Sequence, residues 1–161
     1  MIVNAAMEGY LNQIKAEHIV SREEYPIWCQ FNQVGQPFWG AGNFCGIATL
    51  FVDGDCNLTE LEWIGNEVHI GCCDGILGTL IHGLGIVSAW KTQLETEYPY
   101  TAFDIMLSID EGDEEVLPSI TIRFWAIRNQ EHYVNPSMQE LEKFSQPVLM
   151  EQVNFVVEDF A

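Results

Sequence analysis

Two runs of alternating apolar residues, joined by an acidic loop, constrain the fold more than any other feature of this sequence. Successive side chains of a strand point to opposite faces, so alternation predicts strands with one buried face. Residues 101–110 and 119–128 alternate in this way, and residues 111–115 between them are Glu-Gly-Asp-Glu-Glu. The side chains predicted to point inward are Phe103, Ile105, Leu107, Ile109, Ile120, Ile122 and Phe124. Those predicted to point outward are Asp104, Met106, Ser108 and Asp110.

The remaining patterns predict helices and further strands around this pair. Helices are predicted over residues 4–18, 21–31, 76–95 and 137–144, strands over 44–52 and 148–158, and a loop over 33–43. Asn4 is a predicted N-cap, and Ser137-x-x-Glu140 is a capping box. This order of elements is typical of the α+β class. We expect one domain over residues 1–161, with a mainly antiparallel sheet of about five or six strands and helices packed on one face.

Residues 59–72 are predicted to form a β-hairpin. Two alternating runs flank Gly65-Asn66, a pair suited to a two-residue turn. That register places Trp63 opposite Val68 and Leu61 opposite Ile70 on an apolar face. The other face would carry Glu60, Glu62 and His69, with Glu62 opposite His69.

The charge of the chain limits the partners it can bind. Twenty-four acidic residues accompany six basic ones, a formal net charge of −18, and no Lys or Arg lies between Arg22 and Lys91. Nucleic acid and anionic membrane surfaces are disfavoured as direct ligands, because both require positive charge. A field of one sign speeds association with an oppositely charged partner. Solubility alone is the competing explanation, although a net charge of about 2–8 usually suffices for it.

The cysteines and the first residues predict a cytoplasmic protein. Five cysteines, including the adjacent Cys72 and Cys73, favour reduced thiols over a disulfide framework. The N-terminal residues lack the basic region of a secretory signal. No stretch of about eighteen apolar residues is present that would span a membrane.

No motif predicts a metal site, a cofactor or a catalytic centre, so we do not expect an enzyme. The sequence from Asp53 to Asn57 begins like a calcium loop, but Leu58 replaces the required Gly and Ile64 the required Glu. The sequence His69-x-x-Cys72-Cys73 has no second ligand pair at the spacing of a structural zinc site.

Phe38 and Trp39, in the Gly- and Pro-rich segment, have two possible roles. They can plug one end of the sheet, or they can be exposed anchors for a partner, since aromatic residues are enriched at binding hot spots.

Nine acidic residues form the predicted acidic surface: Glu60, Glu62, Glu67, Asp104, Asp110, Glu111, Asp113, Glu114 and Glu115. With this surface, a small acidic α+β domain without an active-site motif resembles the immunity proteins that bacteria make against toxins, most closely those of contact-dependent growth inhibition. The resemblance implies a basic toxin domain as partner, often a nuclease, held inactive in a tight one-to-one complex with a monomer of this chain. The acidic residues would then contact Lys and Arg of the toxin, with Phe38 and Trp39 as apolar anchors.

Three other functions are compatible with the same residues. The first is a nucleic-acid mimic from a mobile element, which blocks a host nuclease with carboxylates at phosphate-like spacing. The second is a small enzyme or small-molecule binder, which requires His69, Cys72, Cys73 and Glu62 to converge. The third is an interaction module of some other bacterial complex.

Overall fold

The computed structural model describes residues 1–42, 53–71 and 75–155. Its strands are β1 (Ile2–Val3), β2 (Ile27–Phe31), β3 (Pro37–Ala41), β4 (Val68–Gly71), β5 (Phe103–Asp110), β6 (Ser119–Ala126) and β7 (Val148–Val153). Its helices are α1 (Ala5–Leu11), α2 (Leu58–Gly65), α3 (Ile76–Glu97) and α4 (Met138–Leu141), with a 3-10 turn at Ala16–His18. The strand predicted over 44–52, Cys72, Cys73 and the end of the strand predicted over 148–158 lie outside the described residues.

A five-stranded antiparallel sheet in the order β1-β7-β5-β6-β4 forms the centre of the fold. Strands β5 and β6 pair along their full length, from Phe103 opposite Ala126 to Asp110 opposite Ser119. The two alternating runs are therefore neighbouring strands, and the predicted α+β class is confirmed. Strands β2 and β3 form a separate two-stranded sheet.

Helix α3 covers one face of the sheet. It buries Leu80, Ile86, Trp90 and Leu94 against the inward side chains of β5 and β6, as the alternation predicts. Gly83 allows close packing, because a Cβ there would lie 3.2 Å from Leu107 Cδ1. In the described part of the chain, no helix has the length and apolar character to cross a bilayer.

The opposite face of the sheet is also partly covered. Met106 and Trp125 are buried there with Leu141 of α4, and Trp63 of α2 packs against them. The prediction that Asp104 and Met106 point into solvent is therefore wrong, although both lie on the second face as the alternation requires. The physical reason is that Trp125 and Met106 give this face apolar surface, which α2 and α4 remove from water.

The predicted hairpin over residues 59–72 is wrong. Residues 58–65 form helix α2, and residues 68–71 form β4, which pairs with β6 instead. Asn57 caps the helix, since its side-chain oxygen accepts a hydrogen bond from Glu60 N at 3.1 Å. Leu58, Leu61 and Glu62 recur at helical spacing on the buried side, so a period near 3.6 competes with the period of two in this segment.

Residues 21–43 also differ from prediction. The helix predicted over 21–31 and the loop predicted over 33–43 contain instead the hairpin β2–β3, with Ile27 opposite Ala41. Pro26 favours extended conformation in the residue before it and prevents a continuous helix through this segment. Asn32 organises the turn, because its side-chain oxygen accepts hydrogen bonds from Val34 N and Gln36 N.

Both predicted N-caps are confirmed, but the Ser137–Glu140 capping box is incomplete, because Ser137 N donates to the Asn135 carbonyl and the Glu140 carboxylate pairs with Lys143. Asn4 Oδ1 accepts a hydrogen bond from Met7 N, and Ser137 Oγ accepts one from Glu140 N. Helix α1 ends at Leu11, which is earlier than predicted, and the 3-10 turn follows it. Helix α3 extends from Ile76 to Glu97 and confirms the longest predicted helix.

Candidate functional site: an acidic loop and the adjoining groove

The loop between β5 and β6 has a defined shape. Asp110 Oδ1 accepts a hydrogen bond from Gly112 N at 2.9 Å, and Asp113 Oδ1 accepts from Glu115 N and Val116 N, both at 2.8 Å. These backbone donors, Glu115 first, hold the pKa of the Asp113 carboxyl below its usual 3.8. Gly112 has φ +70°, a conformation that glycine adopts without strain. The loop is thus held by its own short-range hydrogen bonds.

This loop presents carboxylates and apolar side chains together. We call residues 110–117 the acidic loop. Its exposed acidic residues are Asp110, Glu111, Asp113, Glu114 and Glu115, all from the predicted partner-binding set. Directly after them, Val116 is 55% exposed and Leu117 is 73% exposed. Protein–protein interfaces in general combine apolar contacts with a polar rim, and the acidic loop exposes side chains of both kinds.

The acidic loop borders a groove on the second face of the sheet. The groove has a volume of about 340 Å³. Its lining residues are Trp63, Glu67, His69, Met106, Ser108, Asp110, Ser119, Thr121, Arg123, Phe144 and Gln146. The lining side chains of β5 and β6 are at alternate positions, so they share one face, and Asp110 belongs both to the groove and to the acidic loop.

One end of the groove contains an organised cluster around Arg123. Arg123 Nη1 donates to the carbonyl oxygen of Trp63 at 2.9 Å, and Arg123 Nη2 lies 2.9 Å from Glu67 Oε2. The guanidinium carbon lies 4.7 Å from the centre of a Trp63 ring, a cation–π contact. Glu67 is exposed as predicted, but its charge is balanced by Arg123.

Most basic side chains of the protein are already paired with carboxylates. Five of the six basic residues form ion pairs within the described ranges. The pairs are Arg22–Glu24, Lys91–Glu95, Lys91–Glu151, Arg123–Glu67, Arg128–Glu62 and Lys143–Glu140. No carboxylate of the acidic loop forms an ion pair with a described residue, so the negative charge of the loop is available to a partner.

Glu62 is not a surface residue, and its predicted role in partner binding is wrong. Its side chain is 0% exposed. Its two oxygens accept hydrogen bonds from Arg128 and from the backbone N–H groups of Trp39 and Ala126. Burial raises the pKa of Glu62, and these donors, Arg128 foremost, oppose that rise. A carboxylate satisfied in this way holds α2, β3 and β6 together and is not accessible to a partner.

Asp104 is also buried, so its predicted surface role is wrong. It is 0% exposed, and its Oδ2 lies 2.6 Å from His132 Nδ1. The His132 ring stacks on Phe155, with ring centres 5.5 Å apart. Burial raises the pKa of the Asp104 carboxyl, and the hydrogen bond to His132 opposes this effect. The pair fixes the segment after β6 against the sheet.

Phe38 and Trp39 belong to the interior, and their role as exposed anchors is wrong. Phe38 is buried with Leu58 and Leu61. Trp39 packs edge-on against Phe103, with the ring centres 5.1 Å apart. The alternative prediction, that these rings close one end of the structure, agrees with their burial. Glu60 is exposed in the first turn of α2, as predicted for a surface acid, but does not line the groove.

The structure does not bring His69 and Glu62 together. His69 Nδ1 lies 3.3 Å from Thr121 Oγ1, whereas Glu62 contacts the backbone of Ala126. Thr121 and Ala126 are five residues apart on β6, a separation of roughly 17 Å along a strand. Among the residues that the structure describes, no group of three or more His, Cys, Asp or Glu side chains is placed to hold a metal ion.

Sequence reasoning missed the groove and the aliphatic residues beside the acidic loop. Val116 and Leu117 follow the acidic run directly, and two aliphatic residues after such a run, outside either alternating strand, were the available indication. Comparison with protein-family models, with functionally characterised proteins and with solved structures finds no match to this chain.

Proposed function

We propose that this protein binds a basic protein toxin, with a nuclease domain as the favoured target, and holds it inactive in a one-to-one complex. The observation that carries this proposal is the acidic loop. It combines five exposed carboxylates without basic partners among the described residues, two exposed aliphatic side chains and a backbone fixed by its own hydrogen bonds. A bacterial immunity protein of the contact-dependent growth inhibition class has this task.

The electrostatics favour a basic protein over other partners. A nuclease cleft is positive because it must hold phosphates, and an acidic surface can cover it. Complementary charge of this kind can raise association rates toward about 10⁸–10⁹ M⁻¹s⁻¹ at low salt and disfavours acidic competitors. The net charge of −18 contributes long-range attraction, and the acidic loop provides the local contact.

The preformed loop lowers the cost of binding. Ordering a side chain or loop on association opposes affinity, so a segment already held in place loses less entropy. Val116 and Leu117 supply apolar area that a charged loop alone would lack. In the complex, these two side chains would be buried at the centre, with the carboxylates around them.

The first test is capture of the partner from a lysate of the source cell at low salt, with elution by a salt gradient. Glu114→Lys with Glu115→Lys reverses two charges of the acidic loop. Glu17→Lys with Glu23→Lys is the matched control, because these glutamates are also exposed and the formal net charge changes by the same amount. We expect one basic protein in equal molar amount, bound at least about tenfold more weakly by the loop variant and nearly unchanged by the control.

The captured protein is then assayed for nuclease activity with and without the wild-type chain. Suppression at equal molar ratio, lost in the loop variant, supports the proposal. Equal weakening of binding by both variants would show that the acidic loop contributes only through the net charge of the protein. A captured protein that remains fully active would exclude neutralisation. A lysate that yields only scattered weak binders would also contradict the proposal.

A further inference from the structure

The groove beside the acidic loop ends at Asp110, a carboxylate that has no counter-ion among the described residues. Along β5 and β6, Met106 lies opposite Arg123, Ser108 opposite Thr121, and Asp110 opposite Ser119. Arg123 and Asp110 therefore mark the two ends of the groove, about 13 Å apart along the strands. Three hydroxyl groups, of Ser108, Ser119 and Thr121, line the floor between the Arg123 end and Asp110.

The Arg123 end of the groove is already occupied by the Arg123 side chain. The Arg123 guanidinium bonds to Glu67 and to the Trp63 carbonyl, and it stacks over the Trp63 ring. The contacts of Arg123 therefore show that the groups at this end of the groove can hold a guanidinium. Glu67 is the carboxylate used there, which leaves Asp110 as the unneutralised charge of the groove.

Asp110 retains capacity to bind a cation. Its Oδ1 accepts the hydrogen bond from Gly112 N, and no donor in the described part of the chain contacts its Oδ2. A guanidinium carries five N–H donors in a flat fork, whereas a hydroxyl or carboxylate oxygen supplies acceptors. Asp110 together with the hydroxyl groups of Ser119 and Thr121 provides acceptors for several of those donors. Phe144, at the groove wall, offers apolar surface to the stem of a long side chain.

We propose that this groove receives an arginine side chain of the basic partner, with its guanidinium on Asp110. The inference rests on the proposed function for the identity of the partner, and it names the subsite in which one basic residue is fixed. Anionic ligands are disfavoured there by Asp110 and by the neighbouring carboxylates of the acidic loop. Arginine is preferred to lysine, because the fork can bond to the carboxylate and the hydroxyls at once.

The direct test uses the full-length chain and N-acetyl-arginine amide, followed by amide chemical shifts in ¹H–¹⁵N spectra at low salt. We expect saturable shifts centred on Ser108, Ser119 and Thr121. N-acetyl-citrulline amide, which has nearly the same shape without the charge, should bind at least about tenfold more weakly. N-acetyl-lysine amide should also bind more weakly than the arginine probe, since it lacks the fork.

Asp110→Asn removes the charge but keeps a side-chain oxygen for Gly112 N, so the loop should keep its shape. This variant should weaken arginine binding at least about tenfold. The matched control Glu17→Gln removes one exposed charge outside the acidic loop and the groove, and it should weaken arginine binding by less than about twofold. Uniform shifts that do not saturate, equal binding of citrulline, or unchanged binding by Asp110→Asn would overturn the assignment of the groove.

The same variants separate this inference from the proposed function. A partner that is captured and neutralised equally well by Asp110→Asn and by the wild type would overturn the arginine subsite and leave the proposed function intact. Arginine binding that depends on Asp110, without any basic protein captured from the lysate, would support the subsite and contradict the proposed function.

Discussion

Glu62 and Arg128 form a two-pronged ion pair in which one carboxylate meets one guanidinium edge to edge. Arg128 Nη1 lies 2.7 Å from Glu62 Oε1, and Arg128 Nη2 lies 2.9 Å from Glu62 Oε2. Arg128 also donates to Thr59 Oγ1 and to the Pro37 carbonyl. Glu62 has no exposed surface, and through these contacts the pair joins α2, β3 and the end of β6. Removing one partner of a buried ion pair is strongly destabilising, because it leaves the other charge buried and uncompensated.

Arg128→Met should destabilise the fold by about 3–5 kcal/mol, because it leaves the Glu62 carboxylate buried without its counter-ion. Arg128→Lys keeps the charge but loses the fork, so it should fall between the wild type and Arg128→Met. Urea denaturation followed by tryptophan fluorescence measures all three. A lysine variant as stable as the wild type would show that the paired geometry adds nothing to the charge.

His132→Ala should destabilise the fold in a manner that depends on pH. At pH 7 it leaves the buried Asp104 carboxylate without its partner, at a cost of about 3–5 kcal/mol. Burial raises the pKa of Asp104, and the variant removes the group that opposes this rise. The penalty is therefore present above the folded-state pKa of Asp104 and disappears as the pH falls and the carboxyl is protonated.

The measurement is the free energy of unfolding of the wild type and His132→Ala from pH 7 down to about pH 4. The difference between the two should shrink with falling pH. Asp104→Asn in the His132→Ala background is the control, since it removes the charge and should restore stability at pH 7. A difference that is constant with pH would mean that lost packing against Phe155, and not the charge, is responsible.

Asp113 should titrate below the 3.8 of an ordinary aspartate, because the N–H groups of Glu115 and Val116 stabilise its ionised form. A folded-state pKa below the unfolded value means that this group stabilises the loop above about pH 4 and that the contribution is lost as the pH falls through the folded-state pKa. The ¹³Cγ shift of Asp113, followed by NMR against pH, gives the value. A midpoint at or above 3.8 would contradict the hydrogen-bonded loop.

Gly112→Ala should disturb the acidic loop. The φ of +70° is unfavourable for alanine, and the added Cβ would overlap the Val116 carbonyl oxygen and lie 2.9 Å from Pro118 N. We expect a cost of about 1–3 kcal/mol and weaker partner binding. Gly78→Ala is the matched control, since its Cβ would meet nothing within 4 Å on helix α3, and it should stabilise by up to about 1 kcal/mol. Equal stability of the two variants would show that the loop does not need glycine.

The acidic segment Asp110 to Glu115 was predictable as an exposed loop, because it is a charged run between two alternating strands. The groove was not predictable, because its walls come from segments that are distant in sequence. Trp63 belongs to α2, Phe144 follows α4, and the floor is built by β5 and β6. Their approach depends on how these elements pack, which no local pattern records.

Local sequence patterns were sufficient to predict the elements whose period is unambiguous: strands β5 and β6, helix α3, and the helix starts at Asn4 and Ser137. Local side-chain periodicity and capping chemistry suffice there. Long-range packing was needed to establish that residues 58–65 form a helix and that Glu62 and Asp104 are buried. Each of these two acids is buried because a partner reaches it, Arg128 from 66 residues away and His132 from 28 residues away. A carboxylate avoids the interior unless such a partner arrives, and the fold alone brings that partner to it.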